Sequence, residues 1–232
     1  MLVSKNVDKQ LIKIFGFLLV FLALCFTIAI NSFKNGKFTC NKYILNTYLY
    51  IVLTFNIIIL MTLMMEYNNV SPLRSGWILF GLFLITIGCI IFMNNMSPDK
   101  VILKHLIWLV FVFIIGYIFF PMYTYSNKGV VASAMVTTLA IVILLSIVAF
   151  VKPEWISLSI GPMLLVGLIA VIIMELILFF FFRTKLLENP WIFRSISYFV
   201  IFLFMGFILH DTKRLQINAK QCVKADYISE SL

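Results

Sequence analysis

Seven long apolar segments are the feature that most restricts what this 232-residue chain can fold into. An α-helix needs about 20 apolar residues to cross the hydrocarbon of a bilayer. A transmembrane β-strand would instead show about 10 residues of alternating polarity. The pattern therefore predicts an all-α fold, a polytopic transmembrane helical bundle of about seven spans, at residues 11–30, 43–65, 75–93, 101–120, 130–150, 156–182 and 191–210.

The overall composition fits the same class of protein. Hydrophobic residues make up 63% of the chain and charged residues only 12%, which excludes an ordinary soluble domain. Few residues remain outside the segments, so we expect a single transmembrane domain over 1–232 with a polar C-terminal tail at 211–232. The apolar stretch of the first segment exceeds the core of a signal peptide, and we expect it to be retained as a helix.

The net charge of +9 concerns the membrane rather than nucleic acid. The 18 Lys and Arg residues fall at segment ends, in loops and in tails, where they anchor a protein to anionic headgroups. The predicted partner is the lipid bilayer; membrane-protein partners are open, and no nucleic acid is expected. Eight of these cations lie on the side of the N-terminus and ten on the opposite side, which favours a cytosolic C-terminal tail.

The four cysteines form no recognisable framework. Cys25 and Cys89 lie inside apolar segments, where a free thiol behaves as a small hydrophobic group. Cys40 and Cys222 lie in a loop and in the tail, without the spacing of a metal or redox motif. The sequence thus predicts neither a structural disulfide nor a zinc site.

Glu175 is a carboxylate inside the sixth apolar segment. A charged carboxylate there would cost several kcal/mol, so it must be protonated, paired or in contact with water. Ionisable groups at this depth are candidates for an ion pathway. The alternative is a neutral acid that is hydrogen-bonded to a neighbouring helix.

Asp211 and His210 end the seventh apolar segment. The C-terminal end of a helix dipole disfavours a negative charge, and histidine titrates near neutral pH. The two residues are therefore candidates for pH sensing at an ion pathway. The alternative is a surface ion pair of Asp211 with Lys213 or Arg214.

Small residues suggest where helices pack. Ala134 and Thr138 lie one helical turn apart in the fifth segment, and small residues allow close approach of helices in lipid. Gly161 and Pro162 predict a kink early in the sixth segment, and Gly167 follows further along.

The stretch 197–213, with the sequence SYFVIFLFMGFILHDTK, resembles the sixth helix of the Bax inhibitor-1 family, which includes the lifeguard and Golgi anti-apoptotic proteins. The pattern there is an apolar helix with a Gly about five residues before an ending like Tyr-Asp-Thr-Gln. Ala134, Thr137 and Thr138, followed by residues 157–162, are similar to the fourth and fifth helices of that family. The resemblance covers about 126–216, the C-terminal half, and is divergent.

This resemblance implies a membrane protein that leaks Ca²⁺ and suppresses cell death, with pH control by a carboxylate pair that includes Asp211. It implies an endomembrane location and a cytosolic Asp-Thr end. Segment 11–30 looks like an addition, and the tail ends where the last family helix, with its second Asp, should start. His210 and Lys213 replace the Tyr and Gln of the motif. Without the second Asp, the proton-sharing pair is not expected to form as in the family.

The sequence therefore predicts a Bax inhibitor-like, pH-modulated Ca²⁺ leak or cell-death suppressor. The alternative is a non-catalytic structural or assembly protein of an organelle complex or viral membrane. No catalytic motif, metal cluster or phosphate loop is recognisable, so we expect no enzyme and no cofactor, with Ca²⁺ only as a transported ion. His105 is expected to be an interfacial residue rather than a catalytic base.

Overall fold

The computed structural model describes residues 2–34, 36–73, 75–181, 190–222 and 225–231. Within them lie eight α-helices and one two-stranded antiparallel hairpin, which confirms the all-α prediction. The elements are α1 (Leu2–Ser32), β1 (Phe33–Lys34), β2 (Lys37–Phe38), α2 (Tyr43–Tyr67), α3 (Gly76–Asn95), α4 (Val101–Tyr125), α5 (Lys128–Val151), α6 (Gly161–Phe181), α7 (Pro190–Lys220) and α8 (Tyr227–Glu230).

Helices α1 to α7 are long and apolar enough to cross a membrane. Large apolar side chains such as Phe26, Trp77 and Phe202 are more than two-thirds exposed, which is the surface that lipid covers. Some predictions fall outside the described residues: the end of the sixth segment at 182, and four counted cations, Arg74, Arg183, Lys185 and Lys224.

The chain forms two compact units, so the single domain expected from the sequence stays a prediction. The first unit comprises Met1–Ala132 with Gln221–Leu232, and the second comprises Ser133–Lys220. In the first unit α2 packs against α1 and α4, and α3 packs against α4. A Cβ added at Gly116 of α4 would lie 3.7 Å from the Cα of Ile58 in α2, an ordinary contact distance, so the two helix backbones approach closely at this glycine.

The hairpin between α1 and α2 pairs Phe33 with Phe38 and Lys34 with Lys37. Gly36 has a φ of 73°, the left-handed conformation that a two-residue hairpin turn needs and that glycine adopts without a steric cost. The phenyl rings of Phe33 and Phe38 pack with 5.1 Å between their centroids, directly before α2 begins.

In the second unit, α6 packs against α7 through two glycines. A Cβ at Gly167 would lie 2.7 Å from Leu203, and a Cβ at Gly206 would lie 2.8 Å from Leu164. Each glycine therefore receives a leucine of the opposite helix, which is how small residues bring helices together in lipid. Gly167 was among the expected packing residues.

Three details differ from the sequence-based expectation. Ala134 and Thr138 are exposed in α5 rather than packed. Helix α6 begins at Gly161, so Pro162 lies in its first turn, where no backbone donor is needed, and the expected kink is wrong. Helix α7 continues to Lys220, so residues 211–220 are helical instead of forming a tail. The hydropathy of a sequence indicates which residues can lie in hydrocarbon, and it does not indicate where a helix ends.

Candidate functional site

Asp211 and His210 lie next to each other on α7, in the second unit. The carboxylate oxygen Oδ1 of Asp211 lies 2.9 Å from Nδ1 of His210. Because a carboxylate accepts hydrogen bonds, Nδ1 carries the proton and donates it. The Asp211 side chain is 61% exposed, while that of His210 is only 13% exposed. The Asp211 carboxylate is therefore exposed, and the ring beside it is mostly buried.

The His210 ring is held against the first residue of α6. A Cβ added at Gly161 would lie only 2.6 Å from Nε2 of His210, so glycine leaves the room that the ring occupies. The helix dipole argument for Asp211 is wrong, since α7 runs nine residues further, to Lys220, and the helix C-terminus lies there. The expected alternative, a salt bridge of Asp211 to Lys213 or Arg214, is not among the described ion pairs.

Lys213 instead joins α7 to the connection before α6, and Gln216 joins α7 to the end of α5. The ammonium of Lys213 donates to the carbonyl of Ile156, and the Gln216 amide donates to the carbonyl of Ala149 at 2.9 Å. An open cavity of about 280 Å³ lies beside these bonds and is lined by Pro153, Glu154, Lys213, Gln216, Ile217 and Lys220. These contacts fix the part of α7 that follows Asp211.

Glu175 lies apart from Asp211. It is an exposed residue of α6, inside the candidate span Leu158–Leu178. His210 contacts the start of α6 at Gly161, and Glu175 is 14 residues further along, about 21 Å at 1.5 Å per residue. The structure thus brings His210 and Asp211 together and leaves Glu175 at another depth. These two acids cannot share a proton.

The first unit contains a buried charged cluster that the sequence reasoning missed. Lys104, in the first turn of α4, is completely buried, and its ammonium pairs with the carboxylate of Asp226. The same ammonium donates to the Ser229 hydroxyl at 3.0 Å, and the Ser229 amide donates to Asp226. A lysine within an apolar segment is itself a signal of a buried partner, and Lys104 could have been recognised that way.

His105 belongs to the same region and is more than an interfacial residue. Its Nδ1 lies 2.8 Å from the carbonyl of Val101, so this nitrogen must donate. Its Nε2 lies 2.8 Å from the hydroxyl of Tyr50, which is 1% exposed. In the neutral ring Nε2 then accepts a hydrogen bond from Tyr50, and both polar groups are satisfied.

Tyr227 fixes the C-terminal segment 225–231 in the first unit. Its side chain is fully buried among the rings of Phe38, Tyr43 and Tyr50. Its hydroxyl donates to the carbonyl of Thr39 and accepts a bond of 3.1 Å from the Asn46 amide. The expected polar tail is therefore a packed part of the unit.

A disulfide joins Cys40 to Cys222, so the prediction of no structural disulfide is wrong. The two residues are separated by 182 positions in the sequence, and the fold brings them together. Spacing motifs detect local pairs of cysteines and carry no information about this one. Cys25 and Cys89 are free, as expected.

The apolar helices define the class: this is a multi-pass integral membrane protein. The family model described as Bax1-I, inhibitor of apoptosis-promoting Bax1, matches residues 40–232, and the chain belongs to this family. The match extends beyond the C-terminal half in which the resemblance was recognised, and α1 precedes it. Comparison with curated proteins and with solved structures gives no match.

Proposed function

We propose that this Bax inhibitor-like protein leaks Ca²⁺ through the membrane under the control of pH, and that it suppresses cell death by this activity. The observation that carries the proposal is the bond between Asp211 and His210. It joins an exposed carboxylate, a hard oxygen ligand suited to Ca²⁺, to an imidazole ring that can take up a second proton.

Asp211 would collect the cation, and His210 would set its affinity. When the His210 ring gains a second proton, its positive charge lies beside the carboxylate and reduces the attraction for Ca²⁺. The adjoining cavity is lined by three charged residues, Glu154, Lys213 and Lys220, and Lys213 is held by the carbonyl of Ile156. We therefore expect the flux to fall as the pH falls and the ring takes up its second proton.

The test is Ca²⁺ flux into proteoliposomes between about pH 6 and 8. Asp211→Asn should reduce the flux several-fold and remove most of its pH response. His210→Gln should keep the flux seen at high pH but flatten its decline at low pH. Asp99→Asn, the same change at an exposed loop residue, is the matched control and should behave like the wild type. Unchanged flux of Asp211→Asn at every pH would rule out the mechanism.

Glu175 is proposed as a second cation site on the pathway, deeper along α6. Because it is about 21 Å from the start of α6, its role should be separate from that of Asp211. Glu175→Gln should lower the flux while leaving the pH at half-maximal flux where it is in the wild type. A shifted pH midpoint, or full flux, in the same proteoliposome assay would contradict this role.

The second candidate is a structural or assembly role in an organelle complex or a viral membrane. The observation in its favour is the exposed small-residue surface of α5 at Ala134 and Thr138, which leaves room for a partner helix. It predicts stoichiometric membrane-protein partners and no flux from the purified chain. Purification as a solitary, conducting monomer would count against it.

For either role we propose a non-catalytic protein without a cofactor, in which Ca²⁺ is cargo. We propose an endomembrane location, with mitochondrial and viral membranes as the alternatives. Fractionation of expressing cells against markers of these membranes distinguishes the three. Survival of the same cells after an apoptotic stimulus, compared between the wild type and Asp211→Asn, tests whether suppression depends on the flux.

A further inference from the structure

The disulfide between Cys40 and Cys222 carries information about the compartment. The Cα atoms of the two residues are 5.9 Å apart, a separation that a disulfide bridges without backbone movement. Cys40 follows the β hairpin, and Cys222 follows α7. Both therefore lie outside the hydrophobic helices, where soluble oxidants and reductants reach them.

Non-covalent contacts hold the segment that follows Cys222 close to Cys40. The Tyr227 hydroxyl donates to the carbonyl of Thr39, the residue directly before Cys40. Asp226, in the same segment, is paired with buried Lys104. The segment 225–231 is thus docked beside the residue that Cys222 pairs with.

The order of the spans is consistent with this bond. Six candidate spans in the described part of the chain, from Tyr43–Tyr67 to Arg194–Lys220, lie between Cys40 and Cys222. An even number of crossings returns the chain to the side from which it started. The two cysteines therefore share one side of the membrane, as a disulfide requires.

We propose that Cys40 and Cys222 are a site of oxidative modification that faces a non-cytosolic, oxidising compartment, together with the segment 225–231. Disulfides persist in such compartments and are rare in the reducing cytosol. The thiolate of one cysteine attacks the disulfide of an oxidised exchange partner, and the second displaces that partner from the mixed disulfide. The two thiols lose two electrons and two protons, and the partner leaves as a dithiol.

This orientation is opposite to the one expected from the charge count and from the family pattern. The count was ten cations against eight, a small excess. An excess of two cations sets no orientation by itself, whereas the disulfide does.

The first experiment counts the oxidised thiols. Membranes from expressing cells are quenched in acid and alkylated, then reduced and labelled with a polyethylene glycol maleimide. Two of the four cysteines should take the label only after reduction. Cys40→Ser and Cys222→Ser should each abolish that label, whereas Cys25→Ser with Cys89→Ser should retain it. Alkylation of all four thiols without reduction would overturn the proposal.

The second experiment determines the side of the membrane. Sealed microsomes with the cytosolic surface outward are treated with a membrane-impermeant phosphine reductant. The bond should survive in sealed vesicles and be reduced after a detergent opens them. Reduction in the sealed vesicles would place the pair in the cytosol and reject the proposed compartment.

The third experiment tests whether docking forms the pair. After reduction in detergent, reoxidation by oxidised glutathione should be several-fold slower in Tyr227→Phe, because its hydroxyl no longer bonds to Thr39 and Asn46. Tyr198→Phe, at a tyrosine that is 66% exposed, is the matched control and should reoxidise like the wild type. Equal rates in the two variants would show that Tyr227 does not present Cys222 to Cys40.

Discussion

Asp226→Asn should destabilise the first unit by about 3 kcal/mol, at the lower end of the cost of breaking a buried ion pair. The reason is Lys104, whose ammonium is completely buried and would lose its only described carboxylate. We choose the lower end because the Asp226 side chain is 19% exposed and water can replace part of the interaction. Thermal unfolding in detergent or nanodiscs, monitored by release of the segment 225–231 to protease, measures the effect.

Two further variants separate the ion pair from other effects of Asp226. Asp99→Asn removes the same charge from an exposed loop residue and should leave the unfolding temperature unchanged. Lys104→Met combined with Asp226→Leu removes both charges and should recover most of the stability, since apolar pairs often replace buried ion pairs well. If Asp226→Asn unfolded at the same temperature as Asp99→Asn, the pair would have no structural role.

Gly206→Val should destabilise the second unit by about 1–3 kcal/mol, the usual cost of overpacking. The added side chain would begin 2.8 Å from Leu164, at a close contact of α6 and α7. Gly167→Val should act in the same way through Leu203, with 2.7 Å available. Both variants are compared with the wild type in the same thermal unfolding measurement.

Gly81→Val is the matched control for these two variants. Gly81 lies in α3, and nothing lies within 4 Å of a Cβ added there. In that position valine should be neutral or slightly stabilising, because glycine is the poorer residue in a helix interior. The signs of the effects at Gly206 and Gly81 should therefore differ. Equal effects at both positions would show that α6 and α7 do not depend on a close approach.

The spans were predictable because bilayer thickness sets their length and composition. The ends of the helices were not, as α7 shows. Its 31 residues extend about 46 Å, beyond the roughly 30 Å of hydrocarbon, and its last ten residues carry a polar sequence that looks like a tail. Hydropathy follows the solvent around the helix, whereas helix formation continues into water when the residues and their contacts allow it.

The candidate site was predictable only where neighbours in sequence are also neighbours in space. His210 and Asp211 are adjacent residues, and their bond could be anticipated. Lys104 and Asp226 are 122 residues apart, and neither position alone reveals the other. Glu175 and Asp211 are both carboxylates in apolar segments, yet Glu175 lies far along α6 from the residue that His210 contacts. Such pairings depend on the packing of helices, which a single sequence does not specify.

The sequence predicted that small residues pack helices together, but not which of the small residues do so. Gly167 contacts the opposite helix as expected, whereas Ala134 and Thr138 are exposed. A small residue permits two helices to approach closely but does not require it. Whether they do depends on the residue that faces it on the other helix. Leu203 fills the space at Gly167, and nothing in the sequence of α5 identified a comparable partner.

The first unit is interrupted in the sequence, and this determines when it can be completed during synthesis. Its earlier part ends at Ala132, and its remaining part begins at Gln221, after the whole second unit. At about 5–20 residues per second, the ribosome needs on the order of 4–18 s to make the residues between them. Throughout this interval Lys104 lacks Asp226, and Cys40 remains a thiol. A nascent chain therefore exposes an incomplete first unit to quality control until residues 221–232 join residues 1–132.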